Sequence, residues 1–598
     1  MRAGISKPSE LTGDLKFYRW CVDQLMGGVG TKPKWATMGI NPVGLLEMEA
    51  SSKRMNGYSI FSEWEKHILA VKQRGLVPGA GLYVHIPFCR TRCRYCPYFK
   101  EVGVGSESAE FFLDQMLEAV RFFSPIISEL CFHNLYVGGG TPSFLTLNQI
   151  ERLFSPLLKL VTLEPRSERT FECSPESITA DKLRLIKEMG FNRVSMGVQT
   201  LKRDTLRAMA RGYQDVKMVK SAVEGIRKSR FSRGFNLDLI VGLHKEDVET
   251  FIYSFRGVAE MGPDEIEVNV LHPVRGYVRA FYNGDLARCE ENIGSVVRPA
   301  FDGLMPLADR LGYVCMDEKP ENGASWRFLR QDKSLSNMPM RWGKNERYDD
   351  QRLFSLFALG PTARSRIFGG FGNMRYEDET PLEKPFSPAA PVYTATSNDV
   401  ESTQANYAVD ALLRSKMISR REFRDLFGVD PVSIFAPKIA LLQRLERIEV
   451  LRDAVRLRAI EQKEALISSL FFVGRKRLRR KLDAWEWLDK GIAFEIGGRV
   501  LELRIDRRRP GQGFLFETRG LVLQCRCSQI RESSLSQKEQ LVIGIVRKLL
   551  EDESQRMGDL SIQEVVFSLH RRLKSILHLK SPSLRGVQLK PPSFRLSI

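Results

Sequence analysis

The alternation of strand-like and helix-like segments from about residue 80 onward limits the fold of this chain more than any other feature. Each strand-like run is rich in β-branched or aromatic residues and ends near Gly, Pro, Ser or another polar residue. The six predicted strands are Gly81–Ile86, Asn134–Gly138, Arg169–Glu172, Arg193–Val198, Asn236–Val241 and Glu265–Val270. The segments between them carry apolar residues at three- and four-residue intervals, as one-sided helices do. These predicted helices are Ser108–Phe123, Leu147–Leu160, Ala180–Met189 and Val216–Lys228.

Repeated βα units predict an α/β fold with a parallel sheet and helices outside it. Six units indicate a partial (β/α)6 TIM-like barrel, in which the chemistry gathers at the carboxyl ends of the strands. The residues that we expect at these ends are Cys89, Gly138-Gly139-Gly140-Thr141-Pro142, Glu172, Gln199 and Asp238. Each alone has a structural explanation, such as a tight turn for the glycines or a hydrogen-bonded carboxylate. As a set on one face of the barrel, they predict a ligand site.

Three cysteines lie close together directly after the first predicted strand. Cys89, Cys93 and Cys96 have the spacing Cys-x3-Cys-x2-Cys. A [4Fe–4S] cubane has four irons, usually held by four thiolates, so three thiolates on one loop would leave one iron open to a small ligand. The alternatives are ordinary thiols or a zinc site. Structural zinc takes four ligands, usually in two pairs, and no second Cys/His pair follows at a suitable distance, so the spacing favours the cluster.

The cysteine spacing resembles that of the radical S-adenosylmethionine (SAM) superfamily, in which the open iron binds the amino and carboxylate groups of SAM. The surrounding motifs are similar to those of the oxygen-independent coproporphyrinogen III oxidase-like family, in family order from Gly81 to Val473. The matching segments are Tyr83-Val-His-Ile-Pro-Phe-Cys89, Gly138-Gly-Gly-Thr-Pro-Ser143, Glu172-Cys-Ser-Pro175, Asn192-Arg-Val-Ser-Met-Gly-Val-Gln199 and Phe235-Asn-Leu-Asp-Leu239. That family includes decarboxylating oxidases, haem chaperones, anaerobic haem-degrading enzymes and class C radical SAM methyltransferases.

The resemblance implies roles for individual residues of these motifs. It implies that Cys89, Cys93 and Cys96 hold a [4Fe–4S] cluster, which Tyr83 and Tyr95 flank. The residues implied to contact SAM are Gly139, Gly140, Thr141, Glu172, Gln199, Arg211 and Asp238. Among these, the carboxylate of Glu172 is suited to the SAM ammonium and the guanidinium of Arg211 to the SAM carboxylate. Several subgroups of the family bind a second SAM, and the sequence leaves open whether this chain does.

Departures from the family pattern bear on the reaction. Tyr98 stands where the oxidases usually carry a fourth cysteine, and the segments Lys344–Asp349 and Leu359–Arg364 lack the histidines and tryptophan of the haem chaperones. We therefore predict a radical SAM enzyme that cleaves SAM to a 5′-deoxyadenosyl radical and acts on a tetrapyrrole or another conjugated small molecule. Class C-type methyl transfer or a related radical modification is the favoured reaction. The alternatives are a haem-binding chaperone-like protein and an oxidase that decarboxylates coproporphyrinogen III.

At 598 residues the chain is too long for one core, and we divide it into four parts. Residues 1–80 are predicted to be an N-terminal extension, and 81–375 the barrel with a substrate-side extension. Residues 376–474 are predicted to form the family's helical C-terminal domain, and 475–598 an additional small α+β domain. The strands expected in this last domain are Ala493–Ile496, Arg499–Ile505, Gly513–Glu517 and Leu521–Cys525, with a helix over Lys538–Glu551.

Charge and composition narrow the expected partners and location. The net charge is +19, and residues 475–598 hold 26 Lys and Arg against 14 Asp and Glu, so an acidic partner is expected there. Few aromatic residues are interleaved for base stacking, which disfavours nucleic acid. Sparse cysteines, no signal peptide and no membrane span predict a cytoplasmic protein. A small-molecule substrate and a reductant such as flavodoxin or ferredoxin complete the expected partners.

Overall fold

The computed structural model describes residues 15–18, 51–98, 101–102, 106–316, 325–331, 355–370, 372–458, 462–474 and 478, with short segments between 492 and 589. The chain divides into two compact units. One unit comprises Ser51–Thr403 and Asp425–Gly428, and the other comprises Met1–Ala50, Gln404–Arg424 and Val429–Ile598. All of the predicted site residues belong to the first of these units.

Parallel strands form the centre of the sheet in the first unit. They are β2 (Gly79–Ile86), β5 (Cys131–Gly139), β6 (Thr162–Cys173), β7 (Arg193–Gln199), β8 (Phe235–Val241), β9 (Glu265–Val270) and β12 (Ser355–Leu359). In the order β12-β2-β5-β6-β7-β8-β9, each strand is parallel to its neighbour. At one edge the antiparallel strands β11 (Trp326–Arg330) and β10 (Tyr313–Cys315) follow β9. Among the described residues the sheet stays open, so the predicted α/β partial barrel is confirmed without closure.

Helices alternate with these strands along the chain. They are α1 (Gly57–Gln73), α2 (Ser106–Glu129), α3 (Leu147–Leu160), α4 (Ala180–Glu188), α5 (Arg203–Ala208), α6 (Val216–Ser229), α7 (Val248–Glu260), α8 (Arg275–Tyr282) and α9 (Leu286–Arg310). Short polar side chains begin several of them, because a side-chain oxygen can accept from a free amide of the first turn. Thr146 and Gln149 form a capping box at α3, and Asp215 accepts from the Met218 amide at α6.

The main hydrophobic core joins one face of this sheet to its helices. Val137 and Phe171 on the strands are fully buried in the same cluster as Leu153 and Phe154 of α3. Successive residues of a strand point to opposite faces, so Tyr136 and other polar residues at alternate positions lie on the other face. This polar face carries the candidate site.

The predicted strands and helices lie close to the observed ones. Leu147–Leu160 is reproduced to the residue, whereas Arg169–Glu172 covers only the last part of β6. The first part of β6 contains Glu164, Pro165 and Arg166, which hide the apolar pattern, and its pairing with β5 is interrupted by a bulge. Tertiary pairing therefore extends a strand that local composition disfavours.

Four antiparallel strands extend the sheet beyond β12. They are β13 (Arg364–Gly369), β14 (Gly372–Asp378), β15 (Tyr393–Asn398) and β1 (Ser51–Met55). Helix α1 covers this extension, with the Trp64 indole donating to the Tyr376 hydroxyl at 2.8 Å. Residues 51–73 are thus built into the same unit as the barrel, on the other side of the proposed boundary at residue 80. The proposed boundary marks the point where the strand–helix alternation begins, and such local patterns do not register long-range strand pairing.

The segment 400–473 combines helices with a small sheet. Its helices are α10 (Val400–Ser415), α11 (Arg420–Phe427), α12 (Pro431–Ile434), α13 (Ala436–Arg444) and α14 (Gln462–Leu470). The strands β16 (Met417–Ser419), β18 (Ala454–Leu457) and β17 (Ile448–Val450) form an antiparallel sheet in that order. Sequence reasoning predicted only helices here, because strands of three or four residues give little periodic signal.

The last part of the chain contains the predicted antiparallel sheet. Its strands are β19 (Ile492–Ile496), β20 (Arg499–Arg507), β21 (Phe514–Thr518), β22 (Leu521–Cys525) and β23 (Val587–Leu589). Their order is β21-β22-β20-β19-β23. Most of the predicted helix Lys538–Glu551 and the whole segment 344–349 lie outside the described residues. Within the part of the chain that the structure describes, no helix is long and apolar enough to cross a membrane.

Candidate functional site

The three cysteines lie on a loop that short backbone pairings hold at the end of β2. Strand β3 (Phe88–Cys89) pairs with β4 (Glu101–Val102), and the Cys96 amide donates to the Cys93 carbonyl at 3.2 Å. The Cys89 sulfur lies 3.3 Å from the Thr141 hydroxyl. All three cysteines are half-buried. Tyr98, in the place of a fourth cysteine, is 49% exposed.

Arg211 ties the cysteine loop to the end of β7. Its Nη1 contacts the Cys93 sulfur at 3.8 Å and the Tyr95 hydroxyl at 3.4 Å. Its Nη2 donates to the Gly197 carbonyl at 2.9 Å and to Gln214 Oε1 at 2.8 Å. Burial disfavours the ionised guanidinium, but Tyr95 and Cys93 hold the pKa of Arg211 above its ordinary value. Arg211 is therefore a fixed positive charge beside the cysteines.

The glycine turn after β5 fits against its own neighbours so closely that side chains would clash. A Cβ on Gly139 would lie 2.6 Å from the His85 ring, and φ there is +110°. A Cβ on Gly140 would lie 2.6 Å from the Phe88 carbonyl oxygen, and one on Gly138 would lie 2.8 Å from Glu172 Oε2. The sequence offered a tight turn as the structural explanation for these glycines. In the structure these glycines admit the protein's own packing, and a left-handed φ is needed at Gly139 alone among the three.

Glu172 lies next to last in β6 and belongs to an aromatic group on the polar face. The Tyr136 hydroxyl donates to Glu172 Oε1 at 2.5 Å. Tyr83 stacks with Tyr136, with ring centroids 6.3 Å apart, and its hydroxyl lies 3.0 Å from His85 Nδ1. Tyr83 thus contacts this group, whereas Tyr95 lies beside Cys93.

Gln199 lies at the carboxyl end of its strand, as predicted, whereas Asp238 lies in the middle of its own. Gln199 ends β7 after a bulge, with a left-handed φ of +71°. Asp238 is the fourth residue of β8, opposite Gly197 and Glu267, and not at the carboxyl end where we expected it. It accepts from Ser195 at 3.3 Å and from Asn236 at 2.5 Å. Ser195, which donates to Asp238, lies opposite Glu172 in the neighbouring strand β6. Asp238 therefore lies on the polar face of the sheet, one step before the carboxyl ends of the strands.

Deeper on the same face, a buried ion pair separates the site from the other end of the sheet. Arg193 of β7 donates to Glu265 of β9 at 2.6 Å, and both side chains are nearly inaccessible to solvent. Glu168 lies 3.7 Å from Arg193 and accepts from Thr170 at 2.6 Å. A paired charge can be buried where an isolated one would be costly. These paired polar side chains therefore fill the deeper part of the polar face in place of apolar side chains.

The donor set at the cysteine loop fits a cubane. Iron–sulfur clusters are held by cysteine thiolates, and in a cubane each thiolate binds a different iron, so the sulfurs need not converge on one point. Among the described residues, no three His, Cys, Asp or Glu side chains are placed to hold a single metal ion. Thr141 and Arg211, each in contact with a cysteine sulfur, are donors of the kind that stabilises thiolates.

Contacts connect most of the predicted site residues into one group. Cys89 contacts Thr141, Gly138 borders Glu172, and Arg211 joins Cys93 and Tyr95 to the strand that ends at Gln199. Sequence reasoning did not select His85, Tyr136 or Gln214. Their signal was weak: His85 and Tyr136 alternate with apolar residues on predicted strands, and Gln214 follows Arg211 by three residues without a motif of its own.

Comparisons with known proteins agree with this geometry. Residues 83–256 match the radical SAM superfamily. The chain is 34% identical over 187 residues to the oxygen-independent coproporphyrinogen III oxidase of Salmonella typhimurium, covering 31% of this chain and 40% of that protein. It is 30% identical over 194 residues to the heme chaperone HemW of Haemophilus influenzae, covering 32% of this chain and 50% of that protein. This chain therefore spans half or less of the length of these relatives.

A solved structure supports the fold. The coproporphyrinogen III oxidase HemN of Escherichia coli, described as a radical SAM enzyme, aligns with a TM-score of 0.51 and 21% identity, covering 68% of this chain and 92% of that one. The chain thus contains a radical SAM domain that is homologous to those of the oxidases and the heme chaperones, and the predicted family resemblance is confirmed.

Proposed function

We propose that this protein is a radical SAM enzyme that modifies a tetrapyrrole or another conjugated small molecule. The observation that carries the proposal is the contact group in which Cys89 meets Thr141 of the glycine turn and Cys93 meets Arg211. This group lies within the segment that matches the radical SAM superfamily. It joins a cluster-binding loop to the strand ends where a second ligand would bind.

Cys89, Cys93 and Cys96 are proposed to hold a [4Fe–4S] cluster. When bound, the cluster and SAM supply an electron and a 5′-deoxyadenosyl radical, chemistry that belongs to the cofactors and not to the chain. Tyr95 and Arg211 keep the Cys93 side of the loop out of water, since both are buried. Burial raises the pKa of the Tyr95 hydroxyl well above its ordinary value, against the opposing effect of the Arg211 charge.

The predicted SAM contacts divide by charge. Glu172 offers a carboxylate to an ammonium, and the Tyr136 hydroxyl keeps it oriented at 2.5 Å. Arg211 offers the opposite charge at the other side of the cysteine loop. Gly139, Gly140 and Thr141 offer backbone groups, and Gln199 and Asp238 offer hydrogen bonds to ribose or adenine. A zwitterionic amino acid group with a nucleoside attached has this arrangement of charge.

The substrate class is proposed from the relatives. Their names specify an oxidase of coproporphyrinogen III and a chaperone of heme, so a tetrapyrrole is the shared ligand. Tyr98 in place of a fourth cysteine keeps methyl transfer or another modification ahead of decarboxylation in our proposal. A second SAM, a flavodoxin- or ferredoxin-type reductant and an acidic partner for residues 475–598 belong to the same proposal, as does a reducing cytoplasmic location.

Product analysis tests the reaction type. The reconstituted protein is incubated anaerobically with SAM, dithionite and either coproporphyrinogen III or haem. S-Adenosylhomocysteine together with a methylated product supports methyl transfer. A vinyl product with loss of carbon dioxide would instead establish the oxidase reaction, and absence of any modified tetrapyrrole would contradict the substrate class.

Heme carriage is the second candidate, favoured by the similarity to heme chaperones. A carrier binds heme tightly and returns it unmodified. Titration of the protein with haem, followed by the Soret band, measures this directly. A stoichiometric complex with no 5′-deoxyadenosine formed in its presence would favour carriage over catalysis.

A further inference from the structure

A buried hydrogen-bond network begins at the residue after Gln199. The Thr200 hydroxyl is inaccessible to solvent and donates to Glu246 Oε1 at 2.9 Å. The Thr200 hydroxyl oxygen also accepts from the Lys202 amide at 3.2 Å. Ser254 of α7 lies 3.1 Å from it and accepts from the Leu201 amide at 3.1 Å. The backbone that follows Gln199 is therefore fixed by side chains from the loop after β8 and from α7.

Gln199 needs such support, because its backbone is strained. A φ of +71° is uncommon for a residue with a side chain and costs free energy that the surroundings must offset. Before Gln199, Arg211 binds the Gly197 carbonyl at 2.9 Å and Gln214 binds the Val198 carbonyl at 2.8 Å. After Gln199, the hydrogen bonds of the Thr200 hydroxyl hold the opposite side of the bend. Because of the bend, the side-chain amide of Gln199 lies over Gly197. A Cβ built on Gly197 would lie 2.5 Å from Gln199 Nε2.

Glu246 is an unusual partner for this turn. Its side chain is 5% exposed, and among the described residues its Oε2 has no hydrogen-bond partner. Burial raises the pKa of Glu246 to about 8, against the opposing effects of the Thr200 hydroxyl, the Leu243 and Gly242 amides and Lys202. Tyr277 of α8 also faces it. At neutral pH the carboxyl is therefore protonated, and it accepts from Thr200 through a neutral oxygen.

We propose that Glu246 is a positioning residue: through the Thr200 hydroxyl it holds the left-handed bend that sets Gln199 in the SAM site. The proposal rests on the proposed function, in which Gln199 contacts SAM. Among the described residues, the Glu246 side chain forms no hydrogen bond with the cysteine loop or the proposed ligand contacts, and it acts through the backbone of the bend. A neutral amide of the same shape would serve equally well, whereas a truncated side chain would not.

Four variants and two measurements test this role. E246A and T200V remove one partner each, while E246Q and T200S keep the neutral acceptor and the hydroxyl. Hydrogen exchange of the peptide covering 197–202 reports on the bend in the purified protein, and calorimetry with the reconstituted protein reports SAM affinity. E246A and T200V are expected to speed exchange and to weaken SAM binding, each about tenfold, the effect of losing one buried hydrogen bond. E246Q and T200S are expected to stay within about twofold of wild type.

Two outcomes would overturn the role of Glu246. One is exchange over 197–202 that is unchanged in both E246A and T200V. The other is an E246Q variant as impaired as E246A, since that would require the carboxyl itself and not a neutral acceptor. Wild-type protein without measurable SAM binding would contradict the proposed function instead, and the exchange result would still decide whether Glu246 holds the bend at Gln199.

Discussion

Arg211 is the side chain through which the most parts of the candidate site are connected. One guanidinium reaches a cysteine of the loop that carries Cys89, Cys93 and Cys96, the tyrosine beside it and the carbonyl of Gly197. Gln214 accepts from two of its nitrogens and so fixes the plane of the group. A planar fork of donors can satisfy such a set, and a single ammonium cannot. At the scale of one residue, the site depends on geometry as well as charge.

R211K is therefore expected to damage the site although the charge is kept. A lysine cannot reach the Gly197 carbonyl, Gln214 and Cys93 together, so SAM affinity should fall by about ten- to a hundredfold. Calorimetry on the reconstituted protein measures this. R207K is the matched control, because Arg207 is 58% exposed and its ion pair with Asp204 is 3.9 Å long. Equal affinities for R211K and R207K would contradict the account.

Glu246 makes stability depend on pH in a defined direction. Its pKa is about 8 in the folded protein against an ordinary value of 4.5. Between these values the unfolded chain has released a proton that the folded chain retains, so the stability of wild type falls as pH rises and levels off above pH 8. E246Q has no carboxyl group to titrate and does not lose stability in this way. The free energy of unfolding of E246Q relative to wild type should therefore increase by at most about 4 kcal/mol from pH 4.5 to 8. Thermal midpoints at several pH values test this, and a difference between the two proteins that does not change with pH would contradict it.

At the scale of elements, the site is built where strands end irregularly. Strand β5 ends in a glycine with φ of +110°, and β7 ends in a bulge with a left-handed Gln199. The Cys89 loop follows β2 and meets the glycine turn through Thr141. Parallel strands bring their carboxyl ends to one edge of a sheet, so residues far apart in sequence meet there. The regular parts of the strands are covered by the apolar core on the opposite face.

G139A is expected to disrupt the end of β5 more than a left-handed φ alone explains. Gly75 has a φ of +71° with no atom within 4 Å of a built Cβ, so G75A measures the cost of the conformation, about 1–2 kcal/mol. G139A adds a clash with the His85 ring at 2.6 Å. Its thermal midpoint should fall clearly below that of G75A. Equal midpoints would show that His85 moves aside freely.

The elements were largely predictable from sequence, and their ends were not. Periodicity identified Leu147–Leu160 and the strands of the parallel sheet because each buries one face against the core. It did not reveal β13–β15, which pair with one another. The cysteines and glycines were found from their spacing. Tyr136, Gln214 and the Thr200–Glu246 contact depend on distances between strands, which no local pattern encodes.

At the scale of the whole molecule, all of the predicted site residues lie in the unit formed by Ser51–Thr403 and Asp425–Gly428. Strand β1 and helix α1 are part of that unit, since β1 pairs with β15 and Trp64 bonds to Tyr376. The basic segment 475–598 contributes strands to a separate sheet, β19–β23. The candidate site and the strongly basic segment 475–598 thus belong to different parts of the chain.

A variant ending at residue 474 is expected to retain the cluster. Its site residues and the sheet that carries them are kept, so reconstitution should give about four irons per chain, the content of one cubane. Iron and sulfide analysis, with circular dichroism to verify folding, measures this. A folded variant without iron would show that residues 475–598 are needed for the site.

The most direct test of the central claim is the formation of 5′-deoxyadenosine. Wild-type protein and the C89A/C93A/C96A variant are treated identically with iron, sulfide, dithionite and SAM without oxygen, and the products are quantified by mass spectrometry. Wild type is predicted to hold about four irons and to release 5′-deoxyadenosine, while the variant yields neither. Wild-type protein that carries the cluster and binds SAM, yet forms no 5′-deoxyadenosine with or without a tetrapyrrole, would contradict the account.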